Sequence, residues 1–595
     1  KSWNSLARLK LIHLREKKSS RPIPWCVDHS SVVHCGNGRD VRNSSTQGES
    51  NMTERSKRPN IVFLFADDWG RYSSAYRQFE NGSTVNQIVN TPNFDKVAAE
   101  GAIFTNAHVP VPSCTPCRSS ILTGTYFWET GLGAILEGAQ WDESIPTYPL
   151  ILEQSGYHIG YTYKVWSPGK TENAPYGGQR TRYEPSGNQW REFSQEATKR
   201  VSELGVDGAK EFLFDETRDN FRGFLDDVPG NTPFCYWWGP VNTHRAWERG
   251  SGKALWGLDP DNLKGRMPDF LPDVHEIRED FNDYLGEVQA VDAGIGIILE
   301  ELEKAGELDN TLIVISGDHG IPGFPRAKCN LYDIGTQVCL AARWPGKIQP
   351  GKVIHEFVNL MSLAPTFLEA AGEQPLDNMS DSIMPLMASD SGIESAADWE
   401  YVVLGRERHQ GYGRSEGLPY PSRAIRTKDF LYIRNFAPDR WPMGDPCGME
   451  DPNLVNPEEI TEILQSTRIF NPGRTACAPY SDIDVGPTKV WLLVNRNAED
   501  VRSKFELAFG KRPAEELYDL RTDPYYMTNV AEDPSYSDTL NTLSATLLEV
   551  LEKHNDPRVT ERECRFDYSP YAGPVLTDWY DNPHNDQIWF PPVAD

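Results

Sequence analysis

The chain has 595 residues, of which 38% are hydrophobic and 11% aromatic: enough apolar material for a sizeable core and too much length for a single one, so a large and a smaller domain are expected. A formal net charge of -27 disfavours nucleic acid and acidic membrane surfaces as partners, and an anionic substrate would need basic residues gathered locally against that field. No apolar run approaches the ~18 residues of a membrane-spanning helix, and 10 cysteines in this length are too sparse for a disulfide scaffold.

Residues 1–57 are polar, include RNSSTQGESNMTERSKR and lack periodicity, which predicts a flexible extension in which Cys26 and Cys35 could pair. Their basic start lacks the uninterrupted apolar core of a signal peptide. Sequons at Asn43, Asn51, Asn81 and Asn378 would accept a glycan were the chain secreted. Order is expected from RPNIVFLFADDWG onward. There the apolar run from Ile61 to Ala66 ends in two aspartates and a turn glycine, the pattern of a buried strand with polar residues at its C-terminal end.

Thr91 and Pro92 then open a helix as N-cap and first helical residue; Phe94, Val97 and Ala98 form its apolar face and Gly101 ends it. The strand AIFTNAHVP follows, then SCTPCRSSILTG, the helix YPLILEQSG and the strand YHIGYTYK. This alternation predicts an α/β fold with a doubly wound, mostly parallel sheet between helices. Later, EDFNDYLGEVQAVDAGIGIILEELEKAG carries apolar residues at helical spacing, and NTLIVISGDHG behind it repeats the pattern of a buried strand followed by acid, now with histidine. From about Gly411 the texture changes to loops rich in Pro, Gly and Asp, short strands such as DFLYIRNF, and a late amphipathic helix bearing Leu540, Leu543, Leu547 and Leu551. The expected organisation is an extension over 1–57, a catalytic domain over 58–410, and a smaller C-terminal α+β domain over 411–595 that completes the substrate pocket.

Asp67, Asp68 and Asp318 are hard oxygen ligands at the ends of two predicted strands. Carboxylates converging without a cation would repel and shift upward in pKa, so a divalent ion such as Ca²⁺ or Mg²⁺ is the economical explanation, with His319 a softer neighbour. Cys114 and Cys117 have the spacing of a redox pair. A zinc half-site would want a second such pair, which the sequence lacks, and a thioredoxin-like unit would be a small domain without the upstream carboxylates.

The rest of the motif, Cys-x-Pro-x-Arg followed by Leu-Thr-Gly, resembles the signature of the formylglycine-dependent sulfatases. The wider resemblance runs from about Arg58 to the C-terminus and is closest to the heparan N-sulfatase (sulfamidase) branch, through DHGIPGFPRAKCNLYDIGT, YPSRAIRTKDFLYIRNF and ELYDLRTDPYYMTNVAEDP. It implies an alkaline-phosphatase-like fold and a hydrolase that removes sulfate from nitrogen or oxygen of a sulfated carbohydrate. Phosphonate or phosphodiester hydrolysis on the same fold, or a non-catalytic relative with Cys114 unmodified, are the alternatives.

On that resemblance Cys114 is the precursor of formylglycine, made by a dedicated maturation enzyme, and Arg118 holds its hydrated side chain. One hydroxyl of the hydrate attacks sulfur, and the other collapses to the aldehyde and expels sulfate. Asp67, Asp68, Asp318 and His319, with residue 114, ligate the metal, usually Ca²⁺; the family commonly has Asn where His319 stands. Lys164 and Lys328 contact the sulfate, and His244 lies by the leaving group. The family's histidine two places after the lysine is here Trp166. Arg245, Glu407 and His409 are expected substrate contacts, and Cys117 a buried, reduced thiol. The resemblance also implies a secretory, periplasmic or lysosomal setting and is compatible with a homodimer.

Overall fold

A computed structural model describes residues 58–388, 399–411, 413–446 and 479–569. The expected extension over 1–57, with Cys26, Cys35, Asn43 and Asn51, lies outside the described residues.

The strand predicted at Ile61–Ala66 is β1 (Asn60–Ala66), and every one of its residues is buried. Side chains alternate across a strand, and here both faces meet apolar layers. Ile61, Phe63 and Phe65 enter one core cluster, while Val62, Leu64 and Ala66 enter the other. That explains why the run is continuously apolar. The other strands of the large sheet are β2 (Ala102–His108), β3 (His158–Tyr163), β4 (Phe234–Gly239), β5 (Thr311–Gly317), β6 (Leu340–Arg343) and β7 (Lys352–Asn359). Their order across the sheet is β3-β4-β1-β5-β6-β2-β7.

The sheet is mixed. β1 pairs in parallel with β4 and β5, β3 with β4 and β2 with β7, whereas β6 runs antiparallel to both β5 and β2. Helix α1 (Pro92–Glu100) starts on its proline as expected. The cysteine motif forms α2 (Cys114–Thr123), whose ten residues are all buried. Pro116 sits in its first turn, where no backbone donor is needed. Gly124 closes it at φ 72, with its N–H on Ser120 O, so the Leu-Thr-Gly of the motif is a helix stop. Helix α3 spans Tyr148–Gln154, and the long predicted helix is His275–Lys304.

The second sheet has four antiparallel strands in the order β11-β10-β9-β8, namely β8 (Tyr401–Arg406), β9 (Ser422–Thr427), β10 (Phe430–Asn435) and β11 (Glu515–Asp519). The late amphipathic helix Ser537–Lys553 buries Leu543, Leu547 and Leu551. Lys57–Asp595 form one compact unit. A division after residue 410 falls inside the small sheet, between β8 and β9.

Candidate active site

The parallel strands deliver the site. Ala66 of β1 is in register with Gly317 of β5, so Asp67-Asp68 and Asp318-His319 leave the sheet side by side at its carboxyl edge, where open α/β sheets place chemistry. Lys164 follows β3 and His244 follows β4 at the same edge. Cys114 is the first residue of α2, beyond the carboxyl end of β2.

Asp68 takes a left-handed backbone, φ 55, a sparsely populated conformation for a non-glycine residue. It is held there from both sides: its N–H donates to Asp318 Oδ1 at 2.8 Å, and its carbonyl accepts from Tyr284 OH at 3.0 Å.

Three cations gather on three carboxylates. Fully buried Arg118 donates from Nε to Asp318 Oδ2 at 2.9 Å and from Nη2 to Asp67 Oδ1 at 3.1 Å. Its Nη1 reaches the carbonyls of Lys164 and Val165 at 3.0 and 3.2 Å. Lys164 Nζ lies 2.7 and 2.8 Å from the two oxygens of Asp67. Lys328 Nζ bridges Asp68 Oδ2 at 3.0 Å and Asp484 Oδ2 at 3.3 Å. Burial alone would push Asp67 up, yet Lys164 and Arg118 outweigh it and hold the carboxylate well below its usual range. Asp68 is raised by burial against the pull of Lys328, and Asp318 is raised to about 6 by burial and by Asp67 beside it. Two of the three carboxylates therefore remain short of positive charge.

Cys114 Sγ faces this cluster, 3.3 Å from His319 Nε2 and 4.0 Å from Asp68 Oδ1. Burial, then Asp67, pushes its thiol well above the ordinary value. An unmodified Cys114 is thus a neutral thiol and a poor nucleophile. Ligand atoms of Asp68, Cys114 and His319 form one group, and those of Asp67, Cys114 and Asp318 another, each close enough to hold an ion and both including Cys114. Carboxylates short of charge and converging on a common point fit a divalent cation.

His244 is one-third exposed, and its Nε2 lies 4.0 Å from Asp68 Oδ2. Its Nδ1 lies 2.6 Å from the carbonyl of Arg245, which can only accept, so Nδ1 carries a proton and Nε2 is the nitrogen turned to Asp68.

The structure brings Asp67, Asp68, Cys114, Arg118, Lys164, His244, Asp318, His319 and Lys328 together. Two of the expected substrate contacts are engaged within the protein itself. Arg245 is buried, with both terminal nitrogens on Asp280 at 2.7 and 2.8 Å and its guanidinium over Trp247. Glu407 is buried and held by Arg423 at 2.9 Å and Arg558 at 2.6 Å. Both are committed to ion pairs that tie the fold together. His409 meets Ser113, the residue before Cys114: it is buried, its Nδ1 lies 2.8 Å from Ser113 Oγ, and burial lowers its pKa to about 3. Trp166, where the family carries histidine, is also turned inward; its Nε1 donates to Ser119 Oγ at 2.8 Å. Cys117 is a buried free thiol.

Sequence reasoning missed Asp484. It reaches Lys328 from the segment that precedes the helix Pro487–Asn495, and Lys328 outweighs the effect of burial to hold its carboxylate well below the usual range. Only its place two residues after Asp482 in SDIDVG distinguishes it in the sequence.

The profile of the sulfatase family matches residues 59–373. The chain is 27% identical over 536 residues to an ulvan-active sulfatase of Formosa agariphila, covering 88% of this chain and 86% of that one. It is 26% identical over 539 residues to human N-sulphoglucosamine sulphohydrolase, covering 85% and 92%. Against the N-acetylglucosamine-6-O-sulfatase of Bacteroides thetaiotaomicron it is 26% identical over 507 residues, covering 70% and 87%. Among solved structures, one determined in complex with its substrate D-glucosamine-2-N,6-O-disulfate superposes with a TM-score of 0.54 at 20% identity, over 85% of this chain and 100% of that one. The phosphonate monoester hydrolase of Agrobacterium radiobacter superposes with a TM-score of 0.52 at 18% identity, over 84% and 96%. At these identities the structural likeness is one of fold, which is alkaline-phosphatase-like.

Proposed function

The chain belongs to the sulfatase family, and from that premise we propose that it removes sulfate from a sulfated saccharide, with a matured Cys114 as nucleophile. It is a hydrolase of sulfate esters or sulfamides. The observation that carries the reading is the meeting of Cys114 with three carboxylates, buried Arg118 and Lys328, and partly buried Lys164 at one sheet edge.

In this reading Cys114 is oxidised to formylglycine by a maturation enzyme before the protein is active. The hydrated aldehyde supplies one hydroxyl to attack sulfur and a second through which sulfate is released, which a thiol lacks. Asp67, Asp68, Asp318 and His319 are the residues that would hold a divalent cation, which would supply positive charge to offset that on the sulfuryl oxygens.

The chain's own residues do the rest. Arg118 fixes Asp67 and Asp318 in place, and its Nη1 pins the backbone that carries Lys164. Lys164 and Lys328 present ammonium groups to the sulfate oxygens, the local positive focus that a chain of charge -27 requires. His244, anchored at Nδ1, would in its doubly protonated form give the leaving nitrogen or oxygen the proton on Nε2 and be left as the Nδ1–H imidazole. Asp484 steadies Lys328 together with Asp68. Exposed sequons at Asn81 and Asn378 are in keeping with a secretory or lysosomal route.

The relatives' names span ulvan, an N-sulfated sugar and a 6-O-sulfated sugar at nearly equal identity, so the leaving atom is a question for assay. Paired N-sulfated and 6-O-sulfated glucosamines should be hydrolysed unequally, at least one of them with sulfate release. Inactivity of the matured protein on both would overturn the substrate class.

A further inference from the structure

We propose that the protein has a structural anion site, sized for chloride, where the segment that follows Lys328 meets the small sheet. The site does not depend on the reaction proposed above.

Three buried donors there have nothing to donate to. Arg406 at the end of β8, Tyr420 just before β9 and Arg512 just before β11 line one cavity of about 20 Å³, together with Cys329 from the segment after Lys328. Their exposures are 3%, 3% and 8% for Arg406, Tyr420 and Arg512. Arg406 Nε, Tyr420 OH and Arg512 Nη2 are each buried without a hydrogen-bond partner. A buried donor left unpaired is costly, and a charged one most of all. Three of them on one small cavity point to an acceptor that belongs there.

The charges lead to the same place. Arg406 and Arg414 share Asp482 Oδ2, each at 2.5 Å. Glu516, which also lines the cavity, accepts from Asn435 Nδ2 at 2.8 Å on one oxygen, and from Tyr332 OH and Tyr518 OH at 2.8 and 2.7 Å on the other. Both carboxylates are thus committed. Among the described residues Arg512 has no carboxylate within ion-pair distance, and it lies 5.5 Å from the Tyr332 ring. A buried guanidinium in that position calls for a counter-ion.

Size and lining separate an anion from a water. A cavity needs ~10–15 Å³ to hold one water-sized particle, so this one holds a single small occupant and excludes a tetrahedral oxyanion. Water offers two lone pairs to three donors and brings two hydrogens of its own. Those hydrogens meet acceptors already in use: both Glu516 oxygens, and Asn435 Oδ1, which accepts from Ser422 at 2.8 Å. A monatomic anion has no hydrogens to place, accepts from all three donors and supplies the charge that Arg512 lacks.

An ion there would join parts that bear on Lys328. Cys329 N–H donates to the carbonyl of Pro112, two residues before Cys114, at 2.8 Å. Arg406 holds Asp482, two residues before Asp484, which in turn holds Lys328.

Thermal unfolding of the full chain at fixed pH and ionic strength, with potassium chloride or bromide exchanged for potassium gluconate, tests this. The midpoint should rise saturably with either halide, by about 1 °C or more at ~100 mM. Arg512→Gln, which removes the unpaired charge, should lose that dependence. Equal midpoints in chloride and gluconate, or the same halide dependence in Arg512→Gln, would overturn the site. Crystals soaked in bromide should show an anomalous peak between Arg406, Tyr420 and Arg512, and this measurement decides if Arg512→Gln does not fold. A cavity without anomalous signal contradicts the proposal, and a peak without any halide dependence of the midpoint reduces it to an adventitious ion only.

Discussion

Arg118 has no solvent exposure and yet carries a full charge, which is tolerable only because Asp67 and Asp318 accept from it and two carbonyls take its remaining donors. Removing one member of such a buried network typically costs about 3–5 kcal/mol, since the partners are left charged and without water. Asp482 is the clearest case with a pH signature. Arg406 and Arg414 each reach its Oδ2 at 2.5 Å and, against the opposing effect of burial, hold its pKa down to about 2. A carboxylate whose folded pKa is depressed contributes stability above its unfolded pKa and loses it as pH falls through the folded value. Urea unfolding between pH 5 and pH 2 should therefore show an acid loss of roughly 2 kcal/mol that Asp482→Asn lacks; identical acid limbs would refute the assignment. That Asp482 steadies the segment bearing Asp484, and that Arg245 and Glu407 are bound to partners far along the chain, could not be read from the sequence. A charged side chain looks the same there whether it meets a substrate or another part of its own fold.

At the scale of elements, the site depends on β1 and β5 ending in register, and Gly317 is the residue that permits it. A Cβ at Gly317 would overlap the carbonyl oxygen of Trp69, so no side chain fits where the end of β5 meets the backbone that follows β1. Gly317→Ala should lower stability by about 1–3 kcal/mol and cut turnover disproportionately, because the next residues are Asp318 and His319. Thermal unfolding alongside a sulfatase assay checks this, and an alanine variant with unaltered stability and activity would count against the register argument. The elements carrying these residues were legible. β1, β5 and the helix His275–Lys304 are long, strongly patterned and bounded by acids or glycine. The antiparallel β6 was not. Its four residues, Leu340–Arg343, have no period of their own and take their direction from the pairings with β5 and β2. The sheet is therefore mixed, where local alternation of strand and helix suggested parallel pairing.

For the whole molecule, a charge of -27 works against an anionic substrate at long range, while Lys164, Lys328 and the proposed cation would attract it at short range. The long-range part is screened over ~10 Å at 0.1 M salt, whereas buried charges are screened much less. With a sulfated polysaccharide, kcat/KM should rise as salt increases from about 10 to 100 mM, opposite to the fall expected for a site steered by positive potential. A monotonic fall over that range would show that attraction at the site dominates the encounter. The meeting of the candidate site residues was largely legible, because both acidic pairs lie at the ends of strongly patterned strands and the cysteine motif opens a helix beyond a third. Asp484 was not, since it joins Lys328 through folding of a distant segment.

Mass spectrometry of the peptide spanning Cys114, from protein made in a host that has the maturation enzyme, bears most directly on the proposal that residue 114 becomes the nucleophile. The predicted result is an aldehyde in place of the thiol, in a fraction that tracks specific activity and vanishes with activity in Cys114→Ala. Fully active protein in which residue 114 is only thiol or disulfide would contradict it.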